Sequence, residues 1–541
     1  MKKNKLTRYI FFVTLLFVLG SCSDWLNLEP VDGVPRQNYW KTKEDVNSAV
    51  TGIYASLLNS NLVTRMFLYG EWRADMIQSS TRKNSDVQYV IDGEISAENS
   101  FCNWSSFYNT INICNTVLKY APEAYANDES FTEKMLREYE AQAITIRSLM
   151  YFYLVRTFGD VPLTLDAYVD NSQQMSIAKT EGQVILDSLV NHLKYAEKYI
   201  PYSYGSTEKN KGKATIWMVK ALLADVYLWT EKYEECNRLC DEIINSGQFA
   251  LIPVGREKIV LDGGGTGTGG GEEAEDNINA IYYPNEADIN KLYNELYNRG
   301  NSVESVFELQ FNTDILNPFY AMMSMSRGYL TAKTDILSEE IYIPTDIDDR
   351  GYYDIRESVV SNKGYIWKYI GQERGGAERA ETEMTANYII YRLAEVYLMQ
   401  AEALVQIGIA AGDDQDYYTK ARASLEKVRA RANAVESTDL TFGDVEYSGK
   451  TLEEFILQER AREMAYEGKR WFDALRQAKR NNYSGENLGY LTRLAVSSAP
   501  PEKVFGLQTK YKNHKSHYLP IYYTELEANP LLVQNEFYGN K

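Results

Sequence analysis

The sequence predicts a mainly α protein, a tetratricopeptide-like helical repeat scaffold with loop-rich insertions and a few short strands. Three observations carry that prediction. Apolar residues recur at helical spacing through most of the chain. Paired helical stretches fit the repeat of about 34 residues that tetratricopeptide units share. Between them, segments rich in Gly, Pro and Asp lose the helical period. With 541 residues, 44% hydrophobic and 24% charged, the chain has material for a large core and a globular composition.

The chain opens with an export signal. Lys2, Lys3, Lys5 and Arg8 make a basic start, and residues 9–19 form an apolar run too short to cross a bilayer as a helix. Residues 1–21 are therefore a lipoprotein signal peptide, because the tetrad Leu19-Gly20-Ser21-Cys22 resembles a bacterial lipobox. On that reading Cys22 is the lipidated first residue of the mature chain and its tether to the membrane, since several acyl chains anchor stably where one does not. No later run of 18 or more apolar residues follows. The formal charge is −18, and removing the four basic residues of the leader takes it to −22. Such a field repels polyanions and argues against nucleic acid as a partner.

A first helical repeat region is expected over about 38–250. Within it, MLREYEAQAITIRSLMYFYLVRTFGDVPL is a long helix that stops where Gly159 and Pro162 forbid continuation. In KATIWMVKALLADVYLWTEKYEECNRLCDEIINSGQF, Ala221, Leu222, Leu223, Val226 and Tyr227 mark one helix, and Tyr233, Cys236, Leu239, Cys240 and Ile243 a second. Cys236 and Cys240 lie one turn apart with no His or second Cys pair nearby, so close helix packing explains them better than zinc. Export permits disulfides, which leaves pairing of Cys102 with Cys114 open. From about 250 to 385 an insertion interrupts the scaffold. There SVFELQF, ending at Phe311, reads as a strand, and DGGGTGTGGGEEAED as a flexible acidic linker. A second repeat region, about 385–480, begins with NYIIYRLAEVYLMQAEALVQIG, read as one helix and paired with DYYTKARASLEKVRARAN. The C-terminal region, about 481–541, is loop-rich.

Seven stretches then resemble, in order, the blocks of one family. They are CSDWLNLEP, AQAITIRSLMYFYLVRTFGDVPL, CDEIINSGQF, YRLAEVYLMQAEAL, LEKVRARA, ILQERAREMAYEGKRWFDALR and YLPIYYTELEANPLLVQN, and the family is that of SusD-like (RagB/SusD) outer-membrane nutrient-binding lipoproteins. The stretch 475–478 lacks the tryptophan usual after the arginine, and Tyr522 replaces a common proline. The resemblance makes residues 22–541 one SusD-like domain and implies a non-enzymatic role without cofactor. It implies capture of oligosaccharides on the outer face of the outer membrane, in Bacteroidota-type bacteria, by a lid on a SusC-like TonB-dependent transporter. The rivals are a peptide-binding lid of a peptide importer, a surface glycoside hydrolase and a tetratricopeptide adaptor for protein partners.

Several motifs have two readings. Glu459, Glu463 and Glu467 share a helix face, but the interleaved Arg460, Arg462, Lys469 and Arg470 favour ion-pair ladders, whereas glycosidase carboxylates flank a cleft. DIDDRGYYDIRE places Asp346, Asp348, Gly351, Asp354 and Glu357 at calcium-loop positions, yet Arg350 stands where a ligand oxygen belongs, so no metal is expected there. The glycine run at 263–271 lacks the Lys-Ser/Thr of a phosphate loop, and His192, His514 and His517 are the only histidines. A sugar site needs rings that stack on C–H faces and planar polar groups for hydroxyls. Aromatics outside the repeat helices are the candidates, from a chain with 43 tyrosines. They are Trp72, Arg82, Asn84, Asp86 and Tyr89 around the loop-rich stretch 79–100, Tyr282 and Tyr283 after the glycine run, Phe319 and Tyr320 after the strand, and Trp367. Trp217, Trp229 and Trp471 read as core, and Trp104 as helix packing.

Overall fold

The computed structural model describes residues 39–539 apart from 170–172, 174–175, 261–279, 338–340, 343–349, 351–363, 374–375, 435–447, 484–487 and 498. Cys22, the glycine run, and Asp346, Asp348, Gly351, Asp354 and Glu357 lie outside the described residues.

Helix α1 (Lys43–Leu57) opens with a capping box, in which Thr42 and Asp45 satisfy each other's backbone N–H. Then come α2 (Ser60–Glu71), β1 (Ile77–Ser79) and α3 (Ser85–Ile91). The scaffold proper is α4 (Ser105–Asn127), α5 (Glu133–Phe158), α6 (Gly182–Tyr199), α7 (Ile216–Trp229) and α8 (Tyr233–Ile244), each packed on the next. The predicted long helix is α5, buried on every side from Ala141 to Phe158. It ends at Gly159, whose φ of +76° admits no ordinary side chain. Cys236 and Cys240 are wholly buried on α8, and Cys102 and Cys114 are free, buried thiols.

After α8 come β2 (Arg256–Val260) and β3 (Ala280–Pro284), an antiparallel pair, then β4 (Ser305–Leu309), β5 (Leu330–Ala332) and β6 (Tyr388–Arg392). β1 pairs with β5, and β4 with β6. Residues 387–408 do not form the one helix that their spacing predicts. YIIYR is a buried strand on β4, and α9 (Leu393–Ala410) begins only after Arg392. β-branched and aromatic residues suit a pleated ladder, and SVFEL supplies the partner hydrogen bonds. α9 packs directly on α8, so the scaffold continues past the inserted segment. By length and composition α9 is apolar enough to cross a membrane, but 83% of it is buried in the protein. α10 (Gln415–Arg431), α11 (Gly449–Glu463), α12 (Arg470–Tyr483), α13 (Leu488–Ser497) and α14 (Val504–Tyr511) complete the helices used below. Trp229 and Trp471 are core, whereas Trp217 is half-buried, edge-on to the exposed Tyr202 at 6.0 Å.

Glu459, Glu463 and Glu467 point into a buried ion lattice. Arg392 donates Nη1 to Glu304 at 2.7 Å and to Glu463 at 2.5 Å, and grips Glu467 through Nε and Nη2, both at 2.9 Å. Arg431 bridges Glu304 and Glu463, Arg350 bridges Glu463 and Glu459, and Lys368 meets Glu467 at 3.0 Å. Nearby, Arg476 takes Glu402 in a fork at 2.8 and 2.6 Å, and Arg480 adds a third bond at 2.6 Å. Burial alone would raise these carboxyls. The surrounding guanidinium groups outweigh it and hold Glu459 and Glu402 at about 2.

Because those pKa values lie below the ordinary 4.5, the stabilisation is full above pH 4.5 and is lost as pH falls towards 2. Thermal melts followed by circular dichroism should show a falling Tm across that window. Glu402→Gln, which leaves Arg476 and Arg480 without their counter-charge, should lower stability at pH 7 by about 3–5 kcal/mol and weaken that acid dependence.

Candidate functional site

Two loop-rich stretches far apart in sequence meet across the β1–β5 ladder, in the register Ile77↔Ala332 to Ser79↔Leu330. Beyond it, Ser80 N donates to Tyr329 O at 2.9 Å and Ser80 Oγ to Gly328 O at 2.7 Å. Ser80 Oγ also accepts from Arg82 N, turning the chain so that Arg82 Nη1 reaches Met325 O at 3.2 Å. A third segment closes the group: Glu378 Oε1 accepts from Met325 N at 2.8 Å, and Glu381 holds Arg327 at 3.1 Å. Gly328 is required, since a Cβ there would fall 2.5 Å from the backbone of Met323.

The product is an open polar platform. Met325 and the Arg327 side chain are exposed, and Tyr320, half-buried, shares a 2.9 Å hydrogen bond with Ser326. Tyr89, 50% exposed, stands on α3 just after the Arg82 turn. Burial raises the Glu378 carboxyl, opposed by the Met325 N–H. Arg82 is exposed and commits one side-chain hydrogen bond, to Met325 O, among the described residues, which leaves most of its five N–H donors directed to solvent. A planar donor set beside exposed rings can hold a neutral polyhydroxylated ligand.

Other candidates turn out to support this surface. Asn84 caps α3, accepting from Asp86 N at 3.0 Å and Val87 N at 3.2 Å. Asp86 accepts from Ser100 N and Ser100 Oγ, which pins the loop to the start of the next segment. Trp72 is buried, with Phe101 edge-on at 5.5 Å, and Phe319 is buried against Tyr369 at 4.1 Å. Trp367 is 6% exposed and donates Nε1 to Glu373 O at 2.9 Å. These three rings are packing groups; their loop positions in the sequence concealed that. Tyr282 and Tyr283 lie on β3, opposite Lys258 and Glu257 of β2. Trp104 is 3% exposed, edge-on to Phe158 at 5.2 Å, and its indole walls a 380 Å³ pocket with Tyr108 and Asn112. Met325, Arg327 and Glu378 escaped the sequence reading; the only signal was SMSRGYL, an arginine and glycine directly before β5.

Two family models match the chain: the SusD family over residues 344–538, and a family described as starch-binding and associating with the outer membrane over 24–228. The chain belongs to the SusD-like family. That family is one of glycan-binding proteins. Two SusD-like proteins of Formosa agariphila are each 26% identical to this one, over 88% and 90% of this chain and 93% of each relative. A SusD superfamily structure from Bacteroides thetaiotaomicron superposes with a TM-score of 0.65 at 22% identity, covering 92% of this chain and 99% of that one. NanU of B. fragilis does so with a TM-score of 0.65 at 20% identity, covering 94% and 99%. The SusD-like fold thus extends along the chain. Arg82 and Tyr89 lie in the first matched span and Glu378 in the second, while Tyr320, Met325 and Arg327 lie between the two.

Supports and surface groups should separate on mutation. Asn84→Ala should cost about 1 kcal/mol in urea denaturation through loss of the cap, whereas Tyr89→Ala should stay within about 0.5 kcal/mol of the parent.

Proposed function

We propose that this SusD-like protein is a cell-surface glycan-binding lipoprotein, tethered through Cys22, which captures oligosaccharides on the Arg82–Tyr320 platform and delivers them to a SusC-like TonB-dependent transporter. The observation that carries this reading is the joining of the Arg82 turn to the segment of Tyr320 and Arg327 on one exposed surface, with the exposed Tyr89 on the helix that follows Arg82, in a chain of a glycan-binding family. Pyranose C–H faces stack on Tyr89 and Tyr320, and the guanidinium groups and Glu378 take hydroxyls. An open surface of this kind favours modest affinity, and tethering raises the effective concentration of the site.

Capture without turnover fits the carboxylates. Glu459, Glu463 and Glu467 are saturated by arginines and lysine inside the core, and Glu381 on the platform is paired with Arg327. A glycosidase needs two carboxyls facing each other across the scissile bond, about 5–9.5 Å apart.

A glycan array probed with the purified protein should show binding to a neutral oligosaccharide with no release of reducing ends. Arg82→Ala and Tyr89→Ala should each weaken that binding about tenfold with an unchanged Tm. Release of shorter sugars would sink the reading, and binding to peptides alone would make the protein a peptide importer's lid. Cys22→Ala should move the protein from the membrane fraction to the soluble fraction of expressing cells.

A further inference from the structure

A cleft of about 790 Å³ lies apart from the platform and shares no residue with it. Its walls come from the C-terminal end of α5, the start of α6, the end of α12, and segments around His514–Tyr518 and 533–536. The volume is that of a ligand site, about 300–1,000 Å³.

The charges in it are sorted by depth. Lys179 and Lys479 are half-buried in the walls, and neither makes a hydrogen bond or ion pair among the described residues. Lys479 lies over the Trp229 ring at 5.3 Å. Burial lowers both ammonium pKa values, with Asp160 opposing at Lys179 and Glu231 at Lys479. The carboxylates of the cleft, Asp160, Glu181 and Glu536, are all exposed at its edge. Asp160 accepts from Gly182 N at 2.9 Å, and Glu536 faces Lys515 at 3.6 Å. The cleft therefore holds two half-buried cations that form no ion pair among the described residues, with the nearest carboxylates at its edge, in a protein whose net charge is −18.

A flat aromatic wall stands in the same space. Tyr483 stacks on His514 with centroids 4.7 Å apart and planes 22° apart, and its hydroxyl meets Tyr518 at 3.2 Å. The backbone that carries Tyr483 is left-handed. The regular turns of α12 stop at Lys479: Arg480 is extended with ψ of 141°, and Asn481, Asn482 and Tyr483, the last residues of α12, have φ of 52°, 53° and 58°. Asparagine tolerates this conformation; for tyrosine it costs about 1–2 kcal/mol. Such strain is characteristic of ligand-facing segments.

We propose that this cleft is a second binding site, for a sugar unit that carries a carboxylate, which Lys179 and Lys479 receive while the ring lies on Tyr483. The saccharide character of the ligand rests on the function proposed above; the carboxylate rests on the two lysines alone. Isothermal titration of the full chain in detergent with D-glucuronate, D-glucose and acetate as probes tests it. Glucuronate should bind at least tenfold more tightly than either of the others. Lys179→Met/Lys479→Met should abolish that preference, Lys479→Arg should keep it, and Arg82→Ala should leave it unchanged. A melt of each variant excludes unfolding as the cause. Equal binding of glucuronate to the double variant overturns the site, and acetate binding as tightly as glucuronate overturns its saccharide character. Loss of neutral oligosaccharide binding in Arg82→Ala bears on the platform alone, so the two readings fail separately.

Discussion

Arg392 is wholly buried, and nothing in the molecule can be arranged without regard to that charge. An isolated buried guanidinium is excluded by its desolvation cost, so carboxylates must be delivered to it from elsewhere in the chain. Glu304 arrives from the turn before β4, and Glu463 and Glu467 from the end of α11 and just beyond. Those carboxylates are in turn shared with Arg431 of α10, Arg350 and Lys368. The lattice thus crosses from the repeat helices into the inserted segment. Hydrophobic burial alone would tolerate a range of docking angles. Forked and bridging ion pairs at 2.5–3.2 Å accept far fewer, which is how the insertion acquires a fixed position on the scaffold.

The platform inherits that rigidity. β4 is locked to β6, which ends at Arg392, and the chain after β4 carries Tyr320, Met325 and Arg327 before pairing with β1 as β5. Arg470 grips Asp75, two residues before β1, at 2.9 and 2.8 Å. Both strands beneath the exposed groups are therefore tied to buried charge. The surface groups have few bonds of their own and are free to differ without disturbing the lattice. It is consistent with this that three of them lie outside the spans matched by the family models.

The sequence made the helices legible because helical spacing is redundant over many turns, as in α5, α7 and α8. It failed at Tyr388–Arg392 because a strand buried on both faces and a buried helix are both continuous apolar runs. The ion lattice was legible in outline, since acids at four-residue spacing with interleaved bases have few other uses. The site was only half legible. Loop position was the criterion for candidate rings, and it cannot separate Tyr89, which faces water, from Trp72, Phe319 and Trp367, which fill space between elements. Asn84 and Asp86 have the residue types of a sugar site and also of a helix cap and a loop brace, and local backbone donors claimed them.

The same lattice explains why basic character is concentrated where it is. Most buried arginines are matched by buried glutamates, so the net negative charge resides on the surface and disfavours acidic ligands there. A half-buried cation with no ion pair among the described residues is an exception, and Lys479 is one. Its neighbour Arg480 is fixed by Glu402 at 2.6 Å. Lys479 thus lines the cleft beside a residue anchored in the core, and the chain then turns through three left-handed residues. Rigid burial of charge in the core and an unpaired charge at the surface cleft thus meet at adjacent residues of one helix end.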